Sequence, residues 1–483
     1  MTHVNNEVAA EEAADVSPSR VNSELIYGLN DRPPLGEAIF VAFQHVLAAF
    51  VGIITPAIII CSSLELDAVD TSYIISMSLF ASGVCSFIQC RKFGPVGSGL
   101  LSLQGTSFAF LGPILGVGAF AIQGGRSPQE ALALIFGICF FGSAIEIILS
   151  RFLHLMGKII TPVVSGTVVM IIGLGLIKTG LISLAGGAAA LARKDGSFGS
   201  WQNLALGGGV LLIVVVLTMS RNRYLRMGAI AIGLAVGYVA SAILGIVNFS
   251  ALSSLPIVQV PIPFRYGMSF DFGAFLPFIL LYVLTAIETV GDLTATSAVS
   301  GEPVSGSTYI RRIKGGVLGD GVNSAIAALL NTFPNTTFSQ NNGVIQMTGV
   351  GSRYVGFFVA GIFALLGLLP IVGGVFQALP QPVLGGATTV MFGSIAVAGL
   401  KIVSSVELDR RSSIIIAVSL AMGLGVLYAP EIFTDKPAVI KNLFGSSIST
   451  GGLTAILLSW LLPDNLGTAK TVAEENTELG AEV

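Results

Sequence analysis

PNTTFSQNNG, Pro334 to Gly343, is the stretch on which the fold turns. A proline, three asparagines, a glutamine and a glycine crowd into ten residues that stand between apolar runs. No regular helix runs through such a stretch, because proline lacks the N–H that a helix interior needs. Its freed N–H and C=O groups would find no partner in lipid, so this backbone must be buried in protein or line a polar cavity. Ser102, Gln104, Gly105, Thr106 and Ser107 interrupt an earlier apolar run in the same way.

Composition makes lipid the relevant solvent. Of 483 residues, 53% are hydrophobic and 11% charged, against roughly 25% charged in soluble chains. The 59 glycines suit close backbone approach between membrane helices. Windows of ~20 apolar residues give fourteen spans, near 37–61, 71–90, 100–118, 129–150, 159–181, 202–219, 228–247, 274–298, 315–332, 336–350, 354–378, 382–401, 412–428 and 445–462. The expectation is an all-α polytopic membrane protein whose third and tenth spans are broken by short extended segments. Residues 1–36 are polar and carry no cleavable leader pattern, so the first apolar segment reads as a retained span; 463–483 form a second polar tail.

Net charge is -3 and no basic stripe with interleaved aromatics occurs, which argues against a nucleic-acid partner. Cys61, Cys85, Cys90 and Cys139 lie in or beside apolar runs without metal-ligand spacing and read as small buried hydrophobes. Neither a metal nor a resident cofactor is expected.

Charge asymmetry tests the span count. With both termini cytoplasmic, that side receives most of the 24 Lys and Arg, among them Arg91, Lys92, Arg151, Arg221, Arg226, Arg311, Arg312, Lys401, Arg410 and Arg411. The bias holds loop after loop only if both interrupted spans cross. TPVVSGTVVM (Thr161 to Met170) in the fifth span matches QPVLGGATTVM (Gln381 to Met391) in the twelfth, with Pro162 and Gly166 against Pro382 and Gly386. Seven spans separate the copies, as seven separate the interrupted spans, and an odd spacing reverses direction through the membrane. Two inverted seven-span repeats are therefore expected.

Ionisable residues deep in spans cost a few kcal/mol each, and few occur. His45 lies in the first span, Glu288 and Asp292 in the eighth, Asp320 in the ninth; Glu146 is expected to pair with Arg151 at the interface. Glu288 and Asp292, four apart, share one helix face. His45 alone in a helix can be structural, and Asp320 can simply hold helix ends. Three acids and a histidine with no basic residue nearby in sequence favour a protonated carboxyl and hence a proton pathway. Two half-helices beginning inside the membrane would aim unpaired N–H groups at a shared point. Gln340 and Asn341 stand where one would start, and Ser107 holds the matching place in the other; capping is the plainer role for all three. Together these residues suggest a transporter of a polar, uncharged or weakly acidic solute.

QNNGVIQMTG, Gln340 to Gly349, resembles the signature of the nucleobase-ascorbate transporter family, also called the nucleobase-cation symporter family. The likeness extends from SELIY (Ser23 to Tyr27) to about Pro463. It includes Gln44-His45, LSLQGTSF (Leu101 to Phe108), Glu288 in AIETVGDLTAT and Asp320 in KGGVLGDG, and looks most similar to the bacterial xanthine permeases. The resemblance implies a core domain (37–150 and 274–378) moving against a gate domain (159–247 and 382–462), a homodimer, and a multi-pass protein of the bacterial inner membrane. It implies a purine base as substrate, gripped by Glu288 and Gln340; His45 and the carboxylates, which can trade protons near neutral pH, make the proton the expected coupling ion. By the same resemblance Asp320 and His45 support coupling and geometry, and Asn341 affects affinity and specificity. A small hydroxyl at Ser107 leaves room for the extra oxygen of urate. Phe108 and Phe338 are candidate stacking surfaces, ordinary packing being the alternative.

An anion exchanger or channel of similar architecture is the other class, and should place a basic residue or bare half-helix N-termini at the site. A uracil-type carrier resembles a Glu-Asn pattern where this chain has Gln340-Asn341, which favours a purine. No HExxH, paired-aspartate or Ser/His arrangement suggests an enzyme.

Overall fold

The computed structural model describes residues 25–153, 161–247, 255–404, 406–433 and 444–463, with Lys436 and Ile440. Residues 1–24 and 464–483, which make up most of the two expected polar tails, lie outside the described residues, as do the first residues of the expected fifth span. The long helices are α1 (Leu35–Ser63), α2 (Ala68–Arg91), α3 (Leu111–Gln123), α4 (Pro128–Phe152), α5 (Pro162–Leu184), α6 (Trp201–Thr218) and α7 (Ala229–Ile243). They continue with α8 (Phe272–Val299), α9 (Gly306–Leu329), α10 (Gln340–Thr348), α11 (Arg353–Gly367), α12 (Gln381–Val403), α13 (Arg410–Tyr428) and α14 (Ser447–Leu461).

Local chemistry sets their ends. Ser127 and Glu130 form a capping box on α4, with Pro128 in its first turn, where a missing N–H is harmless. Thr161 Oγ1 accepts from Val164 N at 3.3 Å to start α5. Gly349 stops α10 in the left-handed region, φ 67, a conformation that carries no steric penalty for glycine.

Among the described residues, eight helices are long and apolar enough to cross a membrane: α1, α2, α4, α5, α6, α8, α12 and α13. α11 and the short helix Pro370–Gln377 make a ninth, bent by 75°. The sequence reads as one straight span over 354–378; instead Leu369 is extended, φ -107 and ψ 94. A residue before proline is pushed out of the helical region, and Pro370 cannot donate to the preceding turn. α3, α7 and α14 are shorter apolar helices, whereas α9 carries Arg311, Arg312, Lys314 and Asp320, and α10 is only 9 residues long.

Glycines let the helices touch backbone to backbone. A Cβ on Gly166 would lie 2.8 Å from Gly399 O, one on Gly173 would strike Ala396, and one on Gly180 would lie 2.8 Å from Thr389 Oγ1. Contacts that climb α5 while descending α12 make the two antiparallel. α2 and α11 run antiparallel by the same logic: Gly356 meets Cys90, Gly83 meets Ala360 and Ala364, and Gly367 meets Phe80.

Both interrupted spans hold a buried strand. β1 (Gln104–Thr106) and β2 (Asn335–Thr337) pair antiparallel, with Gln104 opposite Thr337, Gly105 opposite Thr336 and Thr106 opposite Asn335. Ser107 N donates to Pro334 O at 2.8 Å and Phe338 N to Leu103 O at 3.0 Å, extending the ladder at each end. Each broken segment thus supplies the hydrogen bonds that the other lacks. A 3-10 turn (Phe108–Phe110) joins β1 to α3.

Candidate functional site

The residues that leave the two strands turn toward α5, α8 and α12, and a cavity of about 200 Å³ opens there. One wall holds Phe108, Glu288, Asp292, Thr337, Phe338 and Gln340; the other holds Ser165, Val169, Ile172, Ile395, Ala398 and Lys401. Five of the anticipated residues therefore meet in one place. Another cavity of similar size, between α1, α7 and Pro370–Gln377, is lined by apolar side chains and Tyr238 and brings no carboxylate.

Each of the five has a local reason for its position. Glu288 and Asp292 occupy successive turns of α8 and share its cavity face. Asp292 Oδ2 accepts from Thr337 Oγ1 at 3.0 Å, while Glu288 Oε2 is buried without a protein donor. Gln340 opens α10, whose N-cap Ser339 makes no side-chain cap hydrogen bond. The Phe338 ring is clamped between two glycines: a Cβ on Gly52 would lie 2.8 Å from its Cε2, and one on Gly105 would overlap the ring. Phe108 meets Phe392 of α12 edge-on, centroids 5.5 Å apart at 79°. A flat solute fits this chemistry: aromatic faces can cover its rings, a carboxylate accepts its N–H groups, and a carboxamide donates and accepts.

The other four anticipated residues are buried but do not line the cavity. Asp320 Oδ1 accepts from Gln104 Nε2 at 2.6 Å and from Gln89 Nε2 at 3.5 Å. Its Oδ2 accepts from the Thr289 hydroxyl and, at 3.4 Å, from Thr336 Oγ1. Asn341 Nδ2 donates to Leu101 O at 2.8 Å, fastening α10 to the segment before β1. Ser107 Oγ accepts from Ala109 N at 3.3 Å, capping the 3-10 turn; Phe108, next in sequence, lines the cavity in its place. His45 is fully buried on α1, and neither ring nitrogen has a hydrogen-bond partner.

Glu146 differs most from expectation. It is completely buried with both oxygens unpartnered, and Arg151 is exposed. Five residues along a helix turn ~500°, which sends the two side chains to different faces. Sequence reasoning also missed Gln104 and Thr289 as partners of Asp320, and the wall from α5 and α12. Lys401, in the last turn of α12, reads from sequence as one more cytoplasmic cation, yet it lines the cavity.

Residues 36–432 match the Xan_ur_permease model, described as a permease family. The chain belongs to this family. It is the nucleobase-ascorbate transporter family that QNNGVIQMTG resembles. This permease is 52% identical over 443 residues to xanthine permease XanP of Escherichia coli strain K12, across 92% of this chain and 95% of that one. It is 46% identical over 462 residues to xanthine permease XanQ of the same strain, across 95% and 99%. Among solved structures, the murine Solute Carrier 26 family member A9 anion transporter aligns with a TM-score of 0.59 over 89% of this chain and 69% of that one. At 10% identity this likeness concerns the fold alone. The protein is a multi-pass membrane permease and not an enzyme.

Proposed function

We propose that this permease imports a purine base, xanthine first and urate second, by proton symport. The convergence of Glu288 and Gln340 on one cavity walled by Phe108 and Phe338 carries the reading. A purine dione alternates N–H and C=O along its edge, which a carboxylate and a carboxamide can match. The names of XanP and XanQ point to the same substrate class. Asp292 flanks the pair, and Asn341, Asp320 and His45 act behind it, holding the broken spans and serving coupling. Proton coupling draws support from buried acids with few countercharges.

The antiparallel pairs β1/β2 and α5/α12 support fourteen spans in two inverted repeats. In this reading α1–α4 and α8–α11 form a core that slides against a gate of α5–α7 and α12–α14, so the cavity lies on the sliding surface. A homodimer in the bacterial inner membrane, with both termini cytoplasmic, completes it. Anion exchange gains one observation, Lys401 on the wall, but Glu288 and Asp292 oppose it with two carboxyl groups.

Radiolabelled xanthine uptake in a strain without its own carriers tests both parts. Xanthine and urate should compete best among xanthine, urate, hypoxanthine, guanine and uracil, and accumulation should stop when the proton gradient collapses. Preference for uracil would refute the purine assignment; sodium-dependent accumulation without a proton gradient would refute the coupling.

A further inference from the structure

Glu146 has no place in the cavity, yet it is a fully buried carboxyl group in the middle of the acid set. At its level α4 and α9 are in backbone contact: a Cβ on Gly321 would lie 2.8 Å from Ile147 N and 3.1 Å from Ser143 O. Neighbouring hydroxyls are committed elsewhere. Ser143 donates to Phe140 O at 2.6 Å and Ser150 to Ile147 O at 2.6 Å. Thr285 of α8 is the one hydroxyl within reach of Glu146, and its single proton is already directed at Leu281 O, 3.1 Å, and Tyr282 O, 3.3 Å. The charged groups that reach Glu146 are Glu288 from α8 and Asp320 from α9, both acids; α3 has no ionisable residue.

An ionised carboxylate with no cation and no donor beyond the shared Thr285 hydroxyl costs several kcal/mol in such surroundings, whereas a neutral carboxylic acid does not carry that penalty. Asp320 is the opposite case, with donors from Gln104, Thr289 and Thr336 that suit an anion. Thr336 also lines the cavity and donates to Asp320, and Asp320 stands next to Gly321, where α9 meets α4 at Ile147, the residue after Glu146.

We infer that Glu146 is a proton-binding site of the transport cycle, set behind the cavity and joined to it through Asp320. One proton entering from the cavity side passes by way of Asp320 to a Glu146 carboxylate oxygen, and it leaves by the same route; no other bond changes. The site rests on the proton-symport reading above. It adds a proton position that does not touch substrate.

The test compares wild type with Glu146→Gln, which fixes a neutral side chain of the same shape, in proteoliposomes with radiolabelled xanthine. Exchange of internal for external xanthine should persist, while accumulation driven by an imposed proton gradient should be lost. Glu146→Gln accumulating like wild type, with an unchanged pH profile, overturns the proposal. Wild type failing to accumulate under the gradient would instead overturn the symport reading. If Glu146→Gln does not insert, Glu146→Asp decides: it keeps a carboxyl group one methylene shorter, and an unshifted pH profile of accumulation would overturn the proposal.

Discussion

Gln104 Nε2 donates to Asp320 Oδ1 at 2.6 Å, and this bond ties β1 to α9. Asp320 also collects Gln89 of α2, Thr289 of α8 and Thr336 of β2. One buried carboxyl group therefore holds the extended parts of both broken spans against three helices. Asp320→Asn should lose this function without altering size, because its NH₂ would confront donors. A buried donor left unsatisfied costs about 1–3 kcal/mol. The expected outcome is a lower Tm in detergent together with impaired xanthine uptake; a wild-type Tm would show that the hub does not support the fold.

Glycine at position 105 is required by the neighbouring ring. Any Cβ there overlaps Phe338, and overpacking a tight site costs about 1–3 kcal/mol. Gly105→Ala should push Phe338 into the cavity and reduce xanthine affinity. Gly105→Ala with Phe338→Leu should recover stability, since the smaller side chain makes room. Equal Tm values for the single and double variants would mean that the contact is not limiting.

The binding pair can be tested by equilibrium binding to purified protein. Hydrogen bonds to charged groups contribute about 1.5–3 kcal/mol, so Glu288→Gln should weaken xanthine by roughly 10–100-fold. Gln340→Ala, which removes both donor and acceptor, should do at least as much. Neither side chain buttresses the fold in the way Asp320 does, so insertion and Tm should stay close to wild type. Unchanged affinity in either variant would remove that residue from the site.

Legibility in the sequence followed the physics of each signal. Pro334, Gly343 and the amides between them are incompatible with a continuous apolar helix, and so both interruptions were visible. That the two pair as β1 and β2 depends on contacts more than 200 residues apart, which no local pattern encodes. Glu288 and Asp292 were readable as neighbours because four residues make one helical turn. Glu146 and Arg151 are near in sequence, but five residues of helix send their side chains to different faces of α4, so no pair forms between a buried acid and an exposed arginine. The bend before Pro370 was hidden by the apolar character of the residues on both sides, since hydropathy is blind to backbone direction. Lys401 was hidden because a cation in a last turn has an ordinary explanation in the helix dipole.

Substrate choice at Ser107 now has a different physical basis from the one the sequence suggests. Ser107 is 2% exposed, its hydroxyl caps the 3-10 turn at Ala109, and its backbone N–H is bound to Pro334 O. Asparagine is as good a cap as serine, so Ser107→Asn should insert and fold. Its added volume enters a buried position, and Phe108, next in sequence and on the cavity wall, is the ring expected to yield. Moving that ring narrows the cavity, which should disfavour urate more than xanthine because urate carries one more oxygen. Discrimination by a single group in a pocket is worth about 1–3 kcal/mol. Inhibition of labelled xanthine uptake by unlabelled urate, compared between wild type and Ser107→Asn, measures it directly. The urate-to-xanthine affinity ratio should fall in the variant. Adding Phe108→Ala should then restore the ratio, because the displaced ring would be gone. An unchanged ratio in Ser107→Asn would confine Ser107 to capping, and a lowered ratio that Phe108→Ala leaves in place would mean that Ser107 acts by another route.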